Sequence, residues 1–365
     1  MVRKGCGKEL PVGDHDAPRL LDRHDDIDPE WLTRVLRAAG HRDANVISFE
    51  ARPIGAGNVS ETLCVDLAFA APTSAPASVV CKFRSSDETS HAHGIGSGSY
   101  LRELESYRLL KGRDDVCRIP AVLWVDGHAE NINLVMEDLS STARAGNQID
   151  GCELDDARSV VAELAKLHRS FYPMERGEAP GWGMTMAGTA DYWSAAVDRG
   201  LAVIRRDAAD RLSGPEMDTV AAAAASARGW YRLPMDRGTL THGDPRVDNI
   251  LFGPSGAVLI DWQITGWRNP MHDVGYFLSG SVKVESRRLS EHELLRLYAD
   301  IFGSGYERKL IERDYRLQLL SGLMTTVAAY GLLASSPEVD RLLITLLRRN
   351  AAAAADWDSV GAFSP

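Results

Sequence analysis

The chain has 365 residues, 44% of them apolar and 25% charged, which is enough for a sizeable core and about two lobes. A net charge of −10 at pH 7 disfavours nucleic acid, which calls for a basic stripe, and loosely suits cationic or neutral small molecules. Cys6, Cys64, Cys81, Cys117 and Cys152 are scattered without a CxxC pair, the usage of reduced thiols in a cytoplasm.

The opening "MVRKGCGKELPVGDHD" lacks the apolar run of a signal peptide. "DPEWLTRVLRAA" (28–39) predicts a short helix, with Asp28 as its cap and Pro29 at its first position. Strand-like runs follow at Val46–Pro53, Thr62–Ala70 and Ser78–Phe83. The small-residue turn "IGAGNVSE" joins the first two, and "APTSAPA" precedes the third. "SSDETSHAHGIGSGS" is rich in Gly and Ser and is expected to be a mobile loop, so its His91 and His93 are not expected to bind a metal. Leu101, Leu104, Tyr107 and Leu109 recur at helical spacing, and two more strands fall at Ala121–Val125 and Asn131–Met136. The first 137 residues thus predict an antiparallel sheet of about five strands with one internal helix.

The texture then becomes helical. Leu154, Ala157, Val161, Leu164, Ala165 and His168 share a face, and further helices are expected near 189–206, 214–230, 271–280, 288–302, 309–333 and 337–355. The apolar run Leu319–Ala334 falls short of the roughly 20 residues of a membrane span and reads as a buried helix. The expected architecture is α+β and bilobal, with a β-rich lobe over 1–137 and a mainly helical lobe over 138–365.

One β insertion interrupts the helical half: "LTHGDPRVDNILFGPSGAVLIDWQITGWRNPMHDVGYF" (240–277). It contains HGDxxxxN from His242 to Asn249, and Asp261 follows 12 residues after Asn249. Two short strands around "GPSG" fit between Asn249 and Asp261, so a hairpin would bring the two within reach of one ion. Their oxygens are hard ligands suited to Mg²⁺. Asp244 lies on the loop outside the hairpin, placed to face a substrate hydroxyl. Loop Asp, loop Asn and downstream Asp are the parts used in kinase-type phosphoryl transfer.

On these residues the chain resembles the aminoglycoside phosphotransferase/choline kinase-like family, whose fold is protein-kinase-like. "HGDPRVDN" matches its HGDxxxxN, "LIDWQ" matches I-D-[WF]-[EQ], and "NPMHDVGYFL" sets Asp273 at the start of a helix. "VMEDL", "LRELESY" and "DVGYFL" lean toward the ecdysteroid-kinase-like branch. The resemblance implies ATP and Mg²⁺ as cofactors, with Asp244 as catalytic base and Asn249 and Asp261 as metal ligands. It also implies that Lys82 pairs with the nucleotide phosphates and that Glu103, preferred to Glu105 through E-x-x-x-Y, orients Lys82. Gly55, Gly57, Asn58 and Ser60 fall in the phosphate-loop position, although Ser60 replaces the last glycine of GxGxxG. Glu137 and Leu139 fall in the hinge that would meet the adenine. His242 is expected to hold its loop and Asp273 to brace it.

The implied activity is transfer of the γ-phosphate of ATP to a hydroxyl of a small acceptor: an antibiotic or other natural product, a sugar, a steroid or a hydroxy acid. No membrane partner is expected, and the chain should act as a monomer or homodimer. A peptide kinase is the first rival, but only 12 residues separate Asp261 from Asp273, too few for a peptide-docking segment. A pseudokinase scaffold would have lost the Lys, the base or a metal ligand. A P-loop kinase is excluded because GxxxxGK[ST] does not occur.

Overall fold

The computed structural model describes residues 17–55, 59–175, 178–235 and 237–363. Its contacts divide the chain into two compact units, one of residues 1–97 and 122–138, the other of 98–121 and 139–365.

In the first unit, helix α1 (Pro29–Ala38) starts as its sequence predicts: the Asp28 carboxylate accepts from the Trp31 backbone N–H at 2.7 Å and Pro29 fills the first turn. A cap of this kind contributes about 1 kcal/mol. Trp31, Leu32, Val35 and Leu36 form the buried face and pack with Val65, Val79, Cys81, Phe83 and Val135. Those residues come from a five-stranded sheet of β1 (Val46–Pro53), β2 (Ser60–Phe69), β3 (Ser78–Arg84), β4 (Val122–His128) and β5 (Asn131–Glu137). The strand order is β1-β2-β3-β5-β4, antiparallel throughout. The expected mobile loop is instead helix α2 (Glu88–Ser97). Asp87 accepts from the Ser90 N–H at 2.8 Å, and this start signal outweighs the two glycines within the helix. His91 and His93 therefore lie on a helix.

The second unit begins with helix α3 (Ser99–Leu110), followed after the β4–β5 hairpin by the short strand β6 (Arg144–Ala145) and helix α4 (Leu154–Phe171). Next come β7 (Met174–Glu175), β8 (Met184–Thr185), helix α5 (Met186–Asp207) and helix α6 (Gly214–Trp230). The β insertion consists of β9 (Arg237–Thr241), β10 (Ile250–Gly253), β11 (Gly256–Leu259) and β12 (Gly266–Arg268). Helices α7 (Met271–Ser281), α8 (Val284–Phe302), α9 (Arg308–Gln318), α10 (Leu320–Leu332), α11 (Pro337–Asp356) and α12 (Ser359–Phe363) complete it.

The single helix expected over 309–333 breaks at Leu319. The Trp230 indole N–H donates to the Leu317 carbonyl at 3.0 Å, an outside donor entering the helical ladder. Helices α5 and α10 touch closely at Gly200, where a Cβ would lie 1.7 Å from the Val327 carbonyl oxygen. Only glycine permits that approach. Trp230, Leu320, Leu323, Met324, Val327 and Leu347 belong to the same apolar core. No helix among the described residues is long and apolar enough to cross a membrane.

Candidate active site

The hairpin inferred from spacing is present. Ile250 pairs with Leu259 and Gly253 with Gly256, and the Ile260 N–H donates to the Asn249 carbonyl at 3.0 Å. This register sets Asn249 beside the strand end that leads into Asp261. Asp261 has φ +67°, a left-handed conformation that Asp tolerates better than most residues. A backbone hydrogen bond ties Asp261 to the Tyr107 hydroxyl on α3. Burial, then the charges of Glu103 and Asp261, push that hydroxyl well above its ordinary range, so Tyr107 stays a neutral brace.

Asp244 lies on the loop after β9 with its side chain 17% exposed. The Asn249 Nδ2 donates to the Asp244 carbonyl at 3.0 Å and to its Oδ2 at 3.1 Å. Arg246 stands 3.5 Å from the same Oδ2. The other oxygen, Oδ1, is buried with no donor at standard hydrogen-bond distance among the described residues, while the Tyr276 hydroxyl, pushed well above its ordinary range by burial and then the Asp244 charge, interacts with the same carboxylate. With its amide nitrogen committed to Asp244, Asn249 presents its Oδ1 elsewhere; hard amide and carboxylate oxygens at Asn249 and Asp261 fit a Mg²⁺ ion that takes its remaining ligands from phosphate and water.

The loop is fixed from beneath by Asp273, which is fully buried at the start of α7. Its Oδ2 accepts from the His242 N–H at 2.7 Å and its Oδ1 from the Gly243 N–H at 3.0 Å. The His168 Nε2 lies 3.1 Å from Oδ2, and the His168 Nδ1 lies 2.9 Å from the Tyr298 hydroxyl. Burial alone would raise the Asp273 carboxyl, but the His168 hydrogen bond and the His272 imidazole 3.6 Å away hold it far below the usual carboxylate range. The His242 Nε2 donates to the Ile260 carbonyl at 2.9 Å, leaving Nδ1 to accept from the Asp244 N–H at 3.3 Å. These partners link the HGDxxxxN loop to the hairpin. Gly243 has φ +90°, and a Cβ there would lie 2.2 Å from the Ile264 carbonyl oxygen. On the loop's other flank, the Val247 N–H donates to Gln148 Oε1 at 2.9 Å and Asp248 Oδ1 accepts from the Gln148 N–H at 2.8 Å.

Glu103 on α3 is fully buried and accepts from Gln263 Nε2 at 3.3 Å, while Arg102 Nε donates to the Gln263 carbonyl at 2.7 Å. Glu105, by contrast, pairs with Arg108 at 2.8 Å on a more open face. These bonds attach α3 to the segment that follows Asp261. In the first unit, Lys82 is 7% exposed in the middle of the sheet, opposite Thr62 and Leu134. Gly55 has φ +75°, and Ser60 is buried opposite Arg84. Gly57 and Asn58 lie outside the described residues. Glu137 is exposed at the end of β5 and Leu139 is buried.

The structure adds His168, Tyr298, Tyr107 and Gln148 to the residues expected from sequence. His168 had a visible signal, a polar residue on the apolar stripe of α4, but its partners come from 105 and 130 positions away. Asp244 also lines a cavity of about 170 Å³ walled by α5, α7, α10 and α11.

The model of the phosphotransferase enzyme family matches residues 79–315. No curated protein sequence matches the chain. Among solved structures, the chain is similar to choline kinase from Cryptosporidium parvum Iowa II, with TM-score 0.56, 11% identity, and coverage of 86% of this chain and 91% of that one. It is also similar to an aminoglycoside phosphotransferase from Alicyclobacillus acidocaldarius, with TM-score 0.51, 14% identity, and coverage of 88% and 94%. A spectinomycin phosphotransferase solved with ADP and spectinomycin gives TM-score 0.50, 12% identity, and coverage of 90% and 99%. At these identities the likeness concerns the fold, which is α+β and protein-kinase-like. The family match spans the β3 lysine, the HGDxxxxN loop, the hairpin and Asp273, and on that span the chain belongs to the phosphotransferase enzyme family.

Proposed function

We propose that the chain is an ATP-dependent kinase that transfers the γ-phosphate to a hydroxyl of a small molecule. The observation that carries this reading is the Asp244 carboxylate, fixed through its Oδ2 by Asn249 and standing at the wall of a cavity where an acceptor hydroxyl can reach it.

Asp244 orients that hydroxyl and takes its proton as transfer proceeds. An ordinary carboxylate is a weak base, so its main contribution is alignment of the attacking oxygen. Asn249 holds the Asp244 carboxylate by its Oδ2, which leaves Oδ1 as the working oxygen. Asn249 and Asp261 would hold Mg²⁺, which would supply charge neutralisation at the phosphates. Asp261 is held in its left-handed conformation by the Tyr107 hydrogen bond, and Asp273 holds the loop that carries Asp244. Lys82 is the cation assigned to the nucleotide phosphates, with Glu103 as its orienting carboxylate. Gly55, Gly57, Asn58 and Ser60 are assigned to the phosphate loop, and Glu137 and Leu139 to the adenine. These nucleotide roles rest on the family pattern. The wording of "VMEDL" and "LRELESY" favours the ecdysteroid-kinase-like branch.

The peptide-kinase alternative is opposed by the stretch between Asp261 and Asp273. Thr265, Trp267 and Arg268 are buried, and β12 pairs with both β9 and β8, so the chain is folded into a sheet where a peptide would need to dock.

The test is incubation of the purified chain with Mg·ATP and a panel of alcohols, with ADP release and phosphate adducts followed by mass spectrometry. An adduct 80 Da above one small acceptor is expected, from the mass of HPO₃ (about 80 Da) in phosphoryl transfer. Label entering casein, with none in any small molecule, would shift the assignment to a peptide kinase.

A further inference from the structure

The cavity beside Asp244 has a chemistry that neither the net charge nor the family reveals. Its walls are mainly apolar, with Met184, Trp193, Trp230 and Leu346, and are interrupted by hydroxyl and amide groups such as Tyr276 and Asn350. Among the described lining residues, Asp244 is the only carboxylate. The other charged groups are cations. Arg246 sits 3.5 Å from Asp244, and Arg268 is 3% exposed. Arg268 donates to Thr241 Oγ1 at 2.8 Å and to the Ile264 carbonyl at 3.0 Å, with no carboxylate within salt-bridge distance among the described residues. Burial brings its guanidinium down to about 10, so it remains charged at neutral pH. Burial likewise lowers the His272 imidazole, which lines the same cavity and favours its neutral form.

From this lining we infer that the acceptor is a lipophilic alcohol without cationic groups, whose hydroxyl-bearing end is about the size of a single ring. The inference rests on the kinase reading above and narrows its substrate class. Three physical arguments support it. The volume, about 170 Å³, is close to the ~150 Å³ that admits benzene, so one ring of the acceptor at a time can enter. Most of the exposed lining is apolar, so the many hydroxyls of a sugar would outnumber the few polar partners there, among them the Tyr276 hydroxyl and the Asn350 Oδ1. Among the lining groups an ammonium would meet two arginines and one carboxylate, already shared with Arg246, while Asp273 acts on Arg268 from behind the wall. The whole-chain charge of −10 attracts cations at long range, but salt screens that field, whereas the lining acts at contact distance.

The test compares cyclohexylmethanol, 2-phenylethanol and menthol with glucose, choline and kanamycin. Binding is read without nucleotide from tryptophan fluorescence, since Trp193 and Trp230 line the cavity, and turnover is read as phosphate adduct with Mg·ATP. We expect the apolar alcohols to bind and to be phosphorylated with kcat/KM at least about 100-fold above the cationic compounds, the scale of a like-charge mismatch. Ala329→Phe, which fills the cavity from α10, should raise KM about 10-fold with kcat nearly unchanged. Preferred phosphorylation of kanamycin or choline would overturn the class and leave the kinase reading intact, as would absence of binding by every apolar alcohol. An unchanged KM in a folded Ala329→Phe chain would also overturn it. Binding of apolar alcohols with no transfer to any acceptor would support the cavity's chemistry and instead refute the kinase reading.

Discussion

The catalytic loop and the cavity wall beside it are built on opposite principles. Each backbone N–H from His242 to Asp244 has a named partner, and the loop rests on one buried carboxylate that also engages His168. The wall is apolar side chains from α5, α10 and α11 that hold each other by shape. The loop therefore tolerates almost no change in geometry, while the wall can change residue by residue and alter only what fits. If the proposed function holds, chemistry resides in the loop and specificity in the wall, and variants in the two regions should separate in kinetics.

The largest effect is expected from Asp244→Ala. Turnover should fall by roughly 10²–10⁴, the contribution of a positioned general base, while nucleotide affinity measured by calorimetry stays nearly the same. Retained turnover would break the comparison, because the loop would then not contain the base.

Gly243→Ala comes next. The new Cβ meets the Ile264 carbonyl at 2.2 Å and sits at φ +90°, so the loop must shift. A displacement of about 1 Å costs roughly 10² in kcat, and KM for the acceptor should rise by a smaller factor, because the same Cβ also lies 2.8 Å from the Arg268 Nη1 at the cavity wall. A rise in KM with full kcat would show that loop and wall are one unit.

Asp273→Asn should act chiefly on stability. It removes the charge that accepts two backbone N–H groups and faces His168, at a cost of about 3 kcal/mol for a broken buried network, read as a lowered Tm. The sign with pH follows from its depressed folded value. The stabilisation is complete above the unfolded carboxyl value of about 4 and is lost as pH falls toward the lower folded value. The gap in stability between wild type and variant should therefore be constant near neutrality and narrow in acid. A gap that widens in acid would show that Asp273 is not held as a charged acceptor.

The motif region was legible because its constraints are local. Asn249 and Asp261 are joined by a hairpin whose length the turn "GPSG" determines, so spacing alone brought them together. The strands of the first unit were legible for the same reason, since alternation and turns are properties of short windows. Tertiary structure decided the rest. The helix at 88–97 is the exception, since its Asp87 cap is as local as a turn even though glycine content predicts a loop there. Helical periodicity runs through Leu319, but the Trp230 indole, which is 87 positions from its acceptor, breaks it. Either glutamate on α3 suits a helical pattern, and only the fold buries Glu103 against Gln263. The acceptor wall was the least legible part. Met184, Trp230 and Leu346 each read as ordinary core residues, because an apolar side chain carries no mark of whether it faces another side chain or a ligand. Only the packing of helices distant in sequence leaves a space between them and places Asp244 at its edge.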